Sequence, residues 1–379
     1  MTPKTAPPRI VFVANSLRVG GSQTVLLELV EIAVADGWDV VVATRGGMLR
    51  DTFTAAEARC VDLVMREGVA PQSPLALHPV EIAKTSACAV GVAQLARLLG
   101  GKQPTIVHAS QPWPLFVAAA ACRITGRPLV WHVHGTTPVE TPPPFRHFVT
   151  RQVNVTVGVC PTAQEKAVTL VAGGRVLTFP NPAIGEPTAR KTVDDGVLRI
   201  GTCSSLTDFK APGVEVLIDA AALLARTRCP VHLDIVGEGP CRADLEQRAA
   251  DAAADTPLTV AFLGERTDPW DALADCRIIV GVGLVSVEAV LHGHRCVAAG
   301  WGVGGPLTVE TADSLYYASY TGRDMAPLEA GLLSDAIEQA AGQTDASLAA
   351  TREYLVARHG ETARCRFVTL WRELLEETS

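Results

Sequence analysis

Short runs of β-branched and apolar residues alternate with longer stretches of helical periodicity along most of the chain. Arg9–Ala14, Asp39–Thr44, Thr105–His108, Pro128–His132 and Asn154–Val159 are apolar almost end to end and predict strands. Between them, Gln23–Ala35, Val80–Leu99 and Leu115–Ile124 predict helices. Strands with no polar alternation, separated by helices, belong to a parallel sheet covered on both faces. Residues Ala183–Gly196 are rich in Pro, Lys, Thr and Asp without apolar periodicity and predict a linker. The alternation then restarts. Leu198–Thr202, His232–Val236, Thr259–Leu263, Arg277–Val282 and Arg295–Ala299 predict strands, with helices near Val214–Leu224, Arg242–Ala253 and Ser286–His292. The expected fold is therefore α/β: two Rossmann-like, doubly wound domains, 1–183 and 184–360. Ligands of such sheets sit outside the carboxyl ends of the strands, so the expected site is a cleft that the two domains face. The last segment, 361–379, is amphipathic over Glu361–Glu377, with Val368, Leu370, Trp371, Leu374 and Leu375 available for packing. It either caps the second domain or crosses back to the first.

Composition narrows the function classes. With 379 residues, 48% of them hydrophobic, the chain exceeds one ordinary core and is not disordered. Its apolar runs are broken: Leu115–Cys122 ends at Arg123, and Ala87–Leu99 is interrupted by Gln94 and Arg97. Neither reaches the ~20 apolar residues of a membrane span. Near the N-terminus, Ile10–Ala14 meets Ser16 and Arg18, which reads as a first strand and not as a signal peptide. The net charge of −7 opposes a nucleic-acid partner held by bulk phosphate attraction. The 10 cysteines form no CxxC pair and no Cys/His cluster at zinc spacing, so they read as reduced thiols of a cytoplasmic protein.

The first candidate chemistry is the turn Ser16-Leu17-Arg18-Val19-Gly20-Gly21-Ser22-Gln23, which follows the first strand and opens a helix. Two glycines let a ligand approach the backbone, and a helix N-terminus offers free N–H groups at the positive end of its dipole. The competing reading is a tight corner with Ser22 as N-cap. The turn is neither the GxGxxG dinucleotide fingerprint nor a P-loop. His132 and His134 share one face of a strand, so at least one of them packs there. As metal ligands they would need further partners that the sequence does not supply, and no metal is expected.

Many pieces in a fixed order add a resemblance. They are the Gly20-Gly21 turn, Ile106–Ser110, Trp131–Thr136 and Leu177–Pro182, followed by Ile200–Lys210, Leu233–Pro240, Phe262–Gly264, Ala274–Cys276 and Val280–Ala289. From Arg9 to about Leu375 the chain resembles the retaining glycosyltransferases of the GT-B fold, specifically the glycogen-synthase-like and mannosyltransferase-like family four. The resemblance implies transfer of a hexose or pentose from a nucleoside-diphosphate sugar, UDP- or GDP-linked, which is a substrate and not a cofactor. Charge develops on the diphosphate as the sugar leaves, and preorganised N–H groups with a cation stabilise it. Lys210 is implied as that cation, with Ser205 in the same loop and N–H groups at Gly20, Gly21, Gly281, Gly283, Leu284 and Val285. Glu288, expected in the first turn of the helix after Gly283, is implied at the donor ribose, Arg266 at the nucleobase and His134 beside the transferred sugar. Arg18 and Thr136 fall on the acceptor side.

Plainer readings stand beside these: a solvated loop lysine for Lys210, a dipole-complementing acid for Glu288, an exposed loop arginine for Arg18.

Two departures bear on mechanism. Ser205 stands where the family usually has an arginine, and Val280 where it has the first of two glutamates. Gly281-Val282-Gly283 resembles a glycine-loop variant in which backbone amides take over. The expected reaction is metal-independent and retains configuration without a protein nucleophile, since no Asp-X-Asp motif and no glycosidase-like carboxylate pair is present. The alternative is a catalytically weak or silent nucleotide-sugar-binding pseudo-glycosyltransferase acting as a partner subunit. The acceptor (glycan, lipid-linked or small molecule) is not named by the sequence. The segment Pro138–Phe148 flanks His134, and Arg146 and Arg151 point toward an anionic or peripheral membrane acceptor.

Overall fold

The computed structural model describes residues 6–65, 79–134, 148–170, 174–183, 185–186 and 195–378. The chain divides into two compact units, Met1–Pro182 with Thr362–Ser379, and Ala183–Glu361.

The first unit holds strands β1 (Arg9–Val13), β2 (Asp39–Thr44), β3 (Arg59–Asp62), β4 (Thr105–Ala109), β5 (Leu129–Val133), β6 (Val155–Gly158) and β7 (Arg175–Thr178). Their order is β3-β2-β1-β4-β5-β6-β7, and every pairing is parallel. Helices α1 (Gly21–Ala35), α2 (Arg50–Ala55), α3 (Pro79–Leu99), α4 (Pro112–Thr125) and α5 (Pro161–Leu170) make the crossovers. Strands β2, β4, β5 and β6 are buried nearly throughout, which is why they read as unbroken apolar runs. The edge strands β3 and β7 are half-exposed or exposed and carry no such signal, so the hydrophobic pattern missed them.

In the second unit β8 (Leu198–Cys203), β9 (Val231–Val236), β10 (Leu258–Gly264), β11 (Ile278–Gly281), β12 (Arg295–Ala299) and β13 (Val303–Pro306) pair in the order β10-β9-β8-β11-β12-β13. All pairings are parallel except β12 with β13, a return strand of sequence Val-Gly-Gly-Pro that strand propensity disfavours. Around the sheet lie α6 (Ala211–Thr227), α7 (Arg242–Ala253), α8 (Pro269–Ala272), α9 (Leu284–Leu291), α10 (Ala312–Tyr317), α11 (Ala330–Ala341) and α12 (Asp345–His359). Alternate strand residues feed two cores, as the two-residue period of a strand demands. Ile278, Val280 and Val297 pack with Leu217, Ile218 and Ile337 on one face. Ile279, Cys296 and Ala298 pack with Val287, Val290 and Leu355 on the other.

Helix α13 (Glu361–Glu377) belongs to the first unit, so the terminal segment crosses back. Its buried stripe is Ala363, Phe367, Leu370, Trp371 and Leu374. Trp371 is fully buried, its edge against Phe12 at 5.9 Å and Trp38 at 6.1 Å. Its Nε1 donates to His108 Nδ1 at 3.4 Å, and Arg372 pairs with Asp36 on α1's C-cap.

Candidate functional site

In a doubly wound sheet, the loops after the two strands where the order reverses part from each other and leave a crevice. In the second unit that point lies between β8 and β11. The loop after β8 is held by backbone bonds from Ser204 N to Val236 O (2.9 Å) and Leu206 N to Glu238 O (2.9 Å). Gly239 is required there, because a Cβ would overlap the Leu206 carbonyl. Thus the Gly237–Gly239 turn after β9 braces the loop that carries Lys210.

Lys210 is the N-cap residue of α6, and its amide donates to Thr207 O at 2.8 Å. Its side chain is half-buried and makes no ion pair among the described residues. Burial pulls the ammonium below its usual range, since a charge removed from water is held less tightly in its charged form. Lys210 lines an open recess of about 390 Å³ at the carboxyl ends of β8, β11 and β12, with Thr202, Ser204, Val280, Val282 and Trp301.

Cys203, the last residue of β8, ties this lysine to the far side of the switch point. Burial, and after it the Glu288 carboxylate, pushes its thiol up to about 11, with Lys210 opposing both. Two residues singled out far apart in sequence therefore act on one atom.

The glycine loop after β11 sorts into two roles. Gly283 has φ 67° and ψ −131°, a conformation open essentially only to glycine, and it caps α9. Its own N–H donates to Tyr320 O (3.2 Å), and its carbonyl accepts from Ser286 N (3.1 Å). The amides of Leu284 and Val285 take no acceptor among the described residues, leaving two donors at the positive end of α9. Gly281 is different. It is the buried end of β11, where a Cβ would stand 2.9 Å from Ser286 N. Its smallness serves strand-to-helix packing.

Glu288 is not in the first turn of its helix, as expected from the sequence. Helix α9 starts at Leu284, so Glu288 is its fifth residue, one turn below Leu284 on the same face. Dipole complementation therefore does not account for it. Ser205 is exposed, and its carbonyl accepts from Ser204 Oγ at 3.4 Å. Arg266 is exposed beyond β10, with Nε donating to Leu263 O at 3.1 Å.

In the first unit the order reverses between β1 and β4. The Asn15 amide bridges the two loops by donating to Gln111 Oε1 at 3.0 Å. Leu17 is fully buried, its amide bonded to Gly46 O and its carbonyl to Leu49 N, both at 3.0 Å. Ser22 is not the N-cap of α1. The helix begins at Gly21 after an extended Gly20, with no side-chain cap. Ser22 Oγ instead donates to Gln23 Oε1 (2.8 Å), and Gln23 Nε2 to Ser16 O (2.9 Å), so the buried glutamine braces the turn from below. The amides of Gly21 and Ser22 have no acceptor among the described residues. Arg18 is exposed.

His134 directly follows β5, with its ring 4.1 Å from that of His132. Its Nδ1 is buried without a hydrogen-bond partner, and burial pulls its pKa to about 4, so the imidazole is neutral near pH 7. His132 is fully buried between His108 and Phe367, each 5.3 Å away, which makes it a core residue. Among the described residues no cluster of three or more His, Cys, Asp or Glu side chains is placed to hold a metal ion. No described helix is long and apolar enough to cross a membrane. Arg151 is exposed, while Thr136 and residues 138–147 of the proline segment, with Arg146, lie outside the described residues.

Sequence reasoning missed Cys203, Phe209 and Trp301. The last two left a faint signal, a phenylalanine directly before the loop lysine and a tryptophan between two glycines.

Comparison with known proteins bears on this geometry. Residues 19–182 match the Glycosyltransferase Family 4 model, and residues 198–330 match that of Glycosyl transferases group 1. The chain is a family-four-like glycosyltransferase. Among solved structures, this glycosyltransferase is similar to Anabaena HepE in complex with UDP and glucose, at 18% identity and a TM-score of 0.71, covering 96% of this chain and 99% of that one. A glycosyltransferase from Rickettsia africae gives 15% and 0.71, covering 97% and 99%. An α,α-trehalose-phosphate synthase (UDP-forming) from Burkholderia vietnamiensis gives 16% and 0.66, covering 98% and 99%. At these identities the likeness establishes the fold, GT-B. Comparison with curated proteins yields no match.

Proposed function

We propose that this glycosyltransferase moves a sugar from a nucleoside-diphosphate donor, UDP-linked before GDP-linked, to its acceptor with retention of anomeric configuration and without a metal ion. The observation that carries the reading is the placement of Lys210, at the N-terminus of α6, in the recess at the carboxyl ends of β8, β11 and β12, with the open Leu284 and Val285 amides at the start of the helix after β11. A desolvated lysine and the open amides of α9 are the groups that stabilise an anion, and Glu288 is an acceptor for ribose hydroxyls. The donor is thus assigned to the second unit, with Arg266 and its backbone toward the nucleobase. Structures of Anabaena HepE with UDP and with UDP-glucose support the choice of base. In the first unit we assign the Gly21 and Ser22 amides to a phosphate and neutral His134 to a sugar hydroxyl. Arg18 and Thr136 are assigned to the acceptor side. The chemistry then needs no protein nucleophile, because the acceptor oxygen bonds to the anomeric carbon on the face from which the diphosphate departs, and no protein base, because a phosphate oxygen of the leaving diphosphate takes the acceptor's proton. A silent donor-binding subunit is not favoured by the family match, which covers both units.

Calorimetric titration with UDP, GDP and their sugars tests the donor assignment. Lys210→Ala should weaken diphosphate binding by about tenfold or more, the size of a charge-assisted contact, without lowering the melting temperature. Equal binding by wild type and variant overturns the assignment. Proton NMR of the product's anomeric coupling then tests retention.

A further inference from the structure

Beside Lys210, the recess has a wall that no phosphate or ribose contact explains. Phe209 precedes the lysine and is 53% exposed, unusual for so large an apolar ring. Its ring centre lies 4.9 Å from that of Trp301, with the planes at 53°. Both residues line the recess, and Lys210 is the sole charged side chain among its lining residues. The two hydroxyls there have their protons committed, Thr202 Oγ1 donating to Val280 O at 2.8 Å and Ser204 Oγ to Ser205 O at 3.4 Å, and are left as acceptors only. Val214, Val280 and Val282 complete an apolar surface.

The indole is built into place. Trp301 N donates to Thr321 O at 3.0 Å. Gly302 and Gly322 press backbone to backbone, leaving no room for a Cβ on either. The Arg323 guanidinium carbon lies 5.1 Å from the Trp301 ring centre, a cation–π contact that holds the ring.

Strand order supplies a direction. Arg266 follows β10, two strands beyond β8 on one side, whereas Trp301 follows β12 on the other side of the switch point. A diphosphate held at Lys210 with its base toward β10 leaves the sugar toward β12. We infer that Phe209 and Trp301 form a stacking wall for the donor's sugar ring, selecting a neutral pyranose by the fit of its C–H face rather than by carboxylates that bind its hydroxyls. This inference rests on the donor-site reading above and names the substrate class of that site.

Affinities for UDP and UDP-glucose, and for GDP and GDP-mannose, measured on wild type, Trp301→Ala, Trp301→Phe and Phe209→Ala, test it. The readout is the ratio of nucleotide-sugar to diphosphate affinity. That ratio should fall by about fivefold or more in both alanine variants, the scale of a ring-stacking contact, and be kept by Trp301→Phe. Phe209 is exposed, so Phe209→Ala keeps the test alive should Trp301→Ala fail to fold. A fall in diphosphate and nucleotide-sugar affinity together, with the ratio constant, places the wall against the base or in the scaffold and overturns the inference. So does a ratio that no variant moves. Wild type that binds neither UDP nor GDP overturns the donor-site reading itself, and the wall with it.

Discussion

Glu28 sits half-buried on α1 with Oε2 lacking any hydrogen-bond partner, near Glu31 and Arg364. Burial, then the Glu31 charge, pushes its carboxyl up to about 7, with Arg364 opposing. The folded value lies above the unfolded one, so the native state holds an extra proton between the two, and this contribution to stability is lost as pH rises through about 7. Glu28→Gln should therefore raise stability at pH 8 by on the order of 1–2 kcal/mol and change little at pH 5. Thermal melts at both values check it, and equal shifts would sink the argument. The histidine row runs the other way. Burial pulls His108 to about 3 and His132 well below its ordinary value. The unfolded chain takes up these protons first, so stability is complete above about pH 6.5 and declines as pH falls below it. His108→Phe should flatten the decline in melting temperature between pH 7 and 5, and an unchanged slope would show that other groups cause it. Lys210 sets a third pH limit. Its lowered pKa predicts that diphosphate affinity weakens toward the alkaline side earlier than a free lysine would allow, and that Lys210→Arg moves the loss upward.

At the scale of elements, α9 and the loop before it test the donor-site proposal most directly. An alanine Cβ at Gly283 meets nothing nearer than Ser319 O at 3.9 Å, so the obstacle is the backbone conformation and not space. Gly283→Ala should cost roughly 1–3 kcal/mol and tilt the Leu284 and Val285 amides, giving a folded protein with weakened diphosphate binding. Gly281→Ala presses on Ser286 in the buried strand-to-helix corner and should act on stability first, with binding lost only in step. Melting and titration curves on the two variants separate those roles, and identical profiles would contradict them. The contrast was hidden in the sequence because both glycines occupy one short Gly-Val-Gly loop. Glu288 was misplaced for a related reason: helix starts are set by cap geometry, which composition only approximates.

At the scale of the whole molecule, the first unit is discontinuous and the second is not. Helix α13 completes the first unit's core, its Trp371 and Phe367 reaching the histidines of β4 and β5. Trp371→Ala should cost about 3–5 kcal/mol, the usual toll for emptying a buried aromatic site. By hydrogen exchange the loss should be confined to amides of the first unit, and protection falling equally in 183–361 would refute that confinement. The terminal helix was readable as amphipathic, but its partner was not, because a buried stripe states that it needs an apolar surface without saying which one.

The sequence by itself determined the doubly wound class, the two successive halves and the glycines and lysine that stand at strand ends. Those features rest on local order: unbroken apolar strands, helical periods, and glycine or lysine at strand ends. Edge strands β3 and β7 lacked that signal because half their surface meets water. Tertiary structure alone decided which glycine is a helix cap and which a packing contact. It also decided that Lys210 and Glu288 share the field of Cys203, and that Phe209 finds Trp301. Each of these depends on distances between segments remote in the chain, fixed by strand order and by backbone carbonyls packed against glycines, which no local pattern encodes.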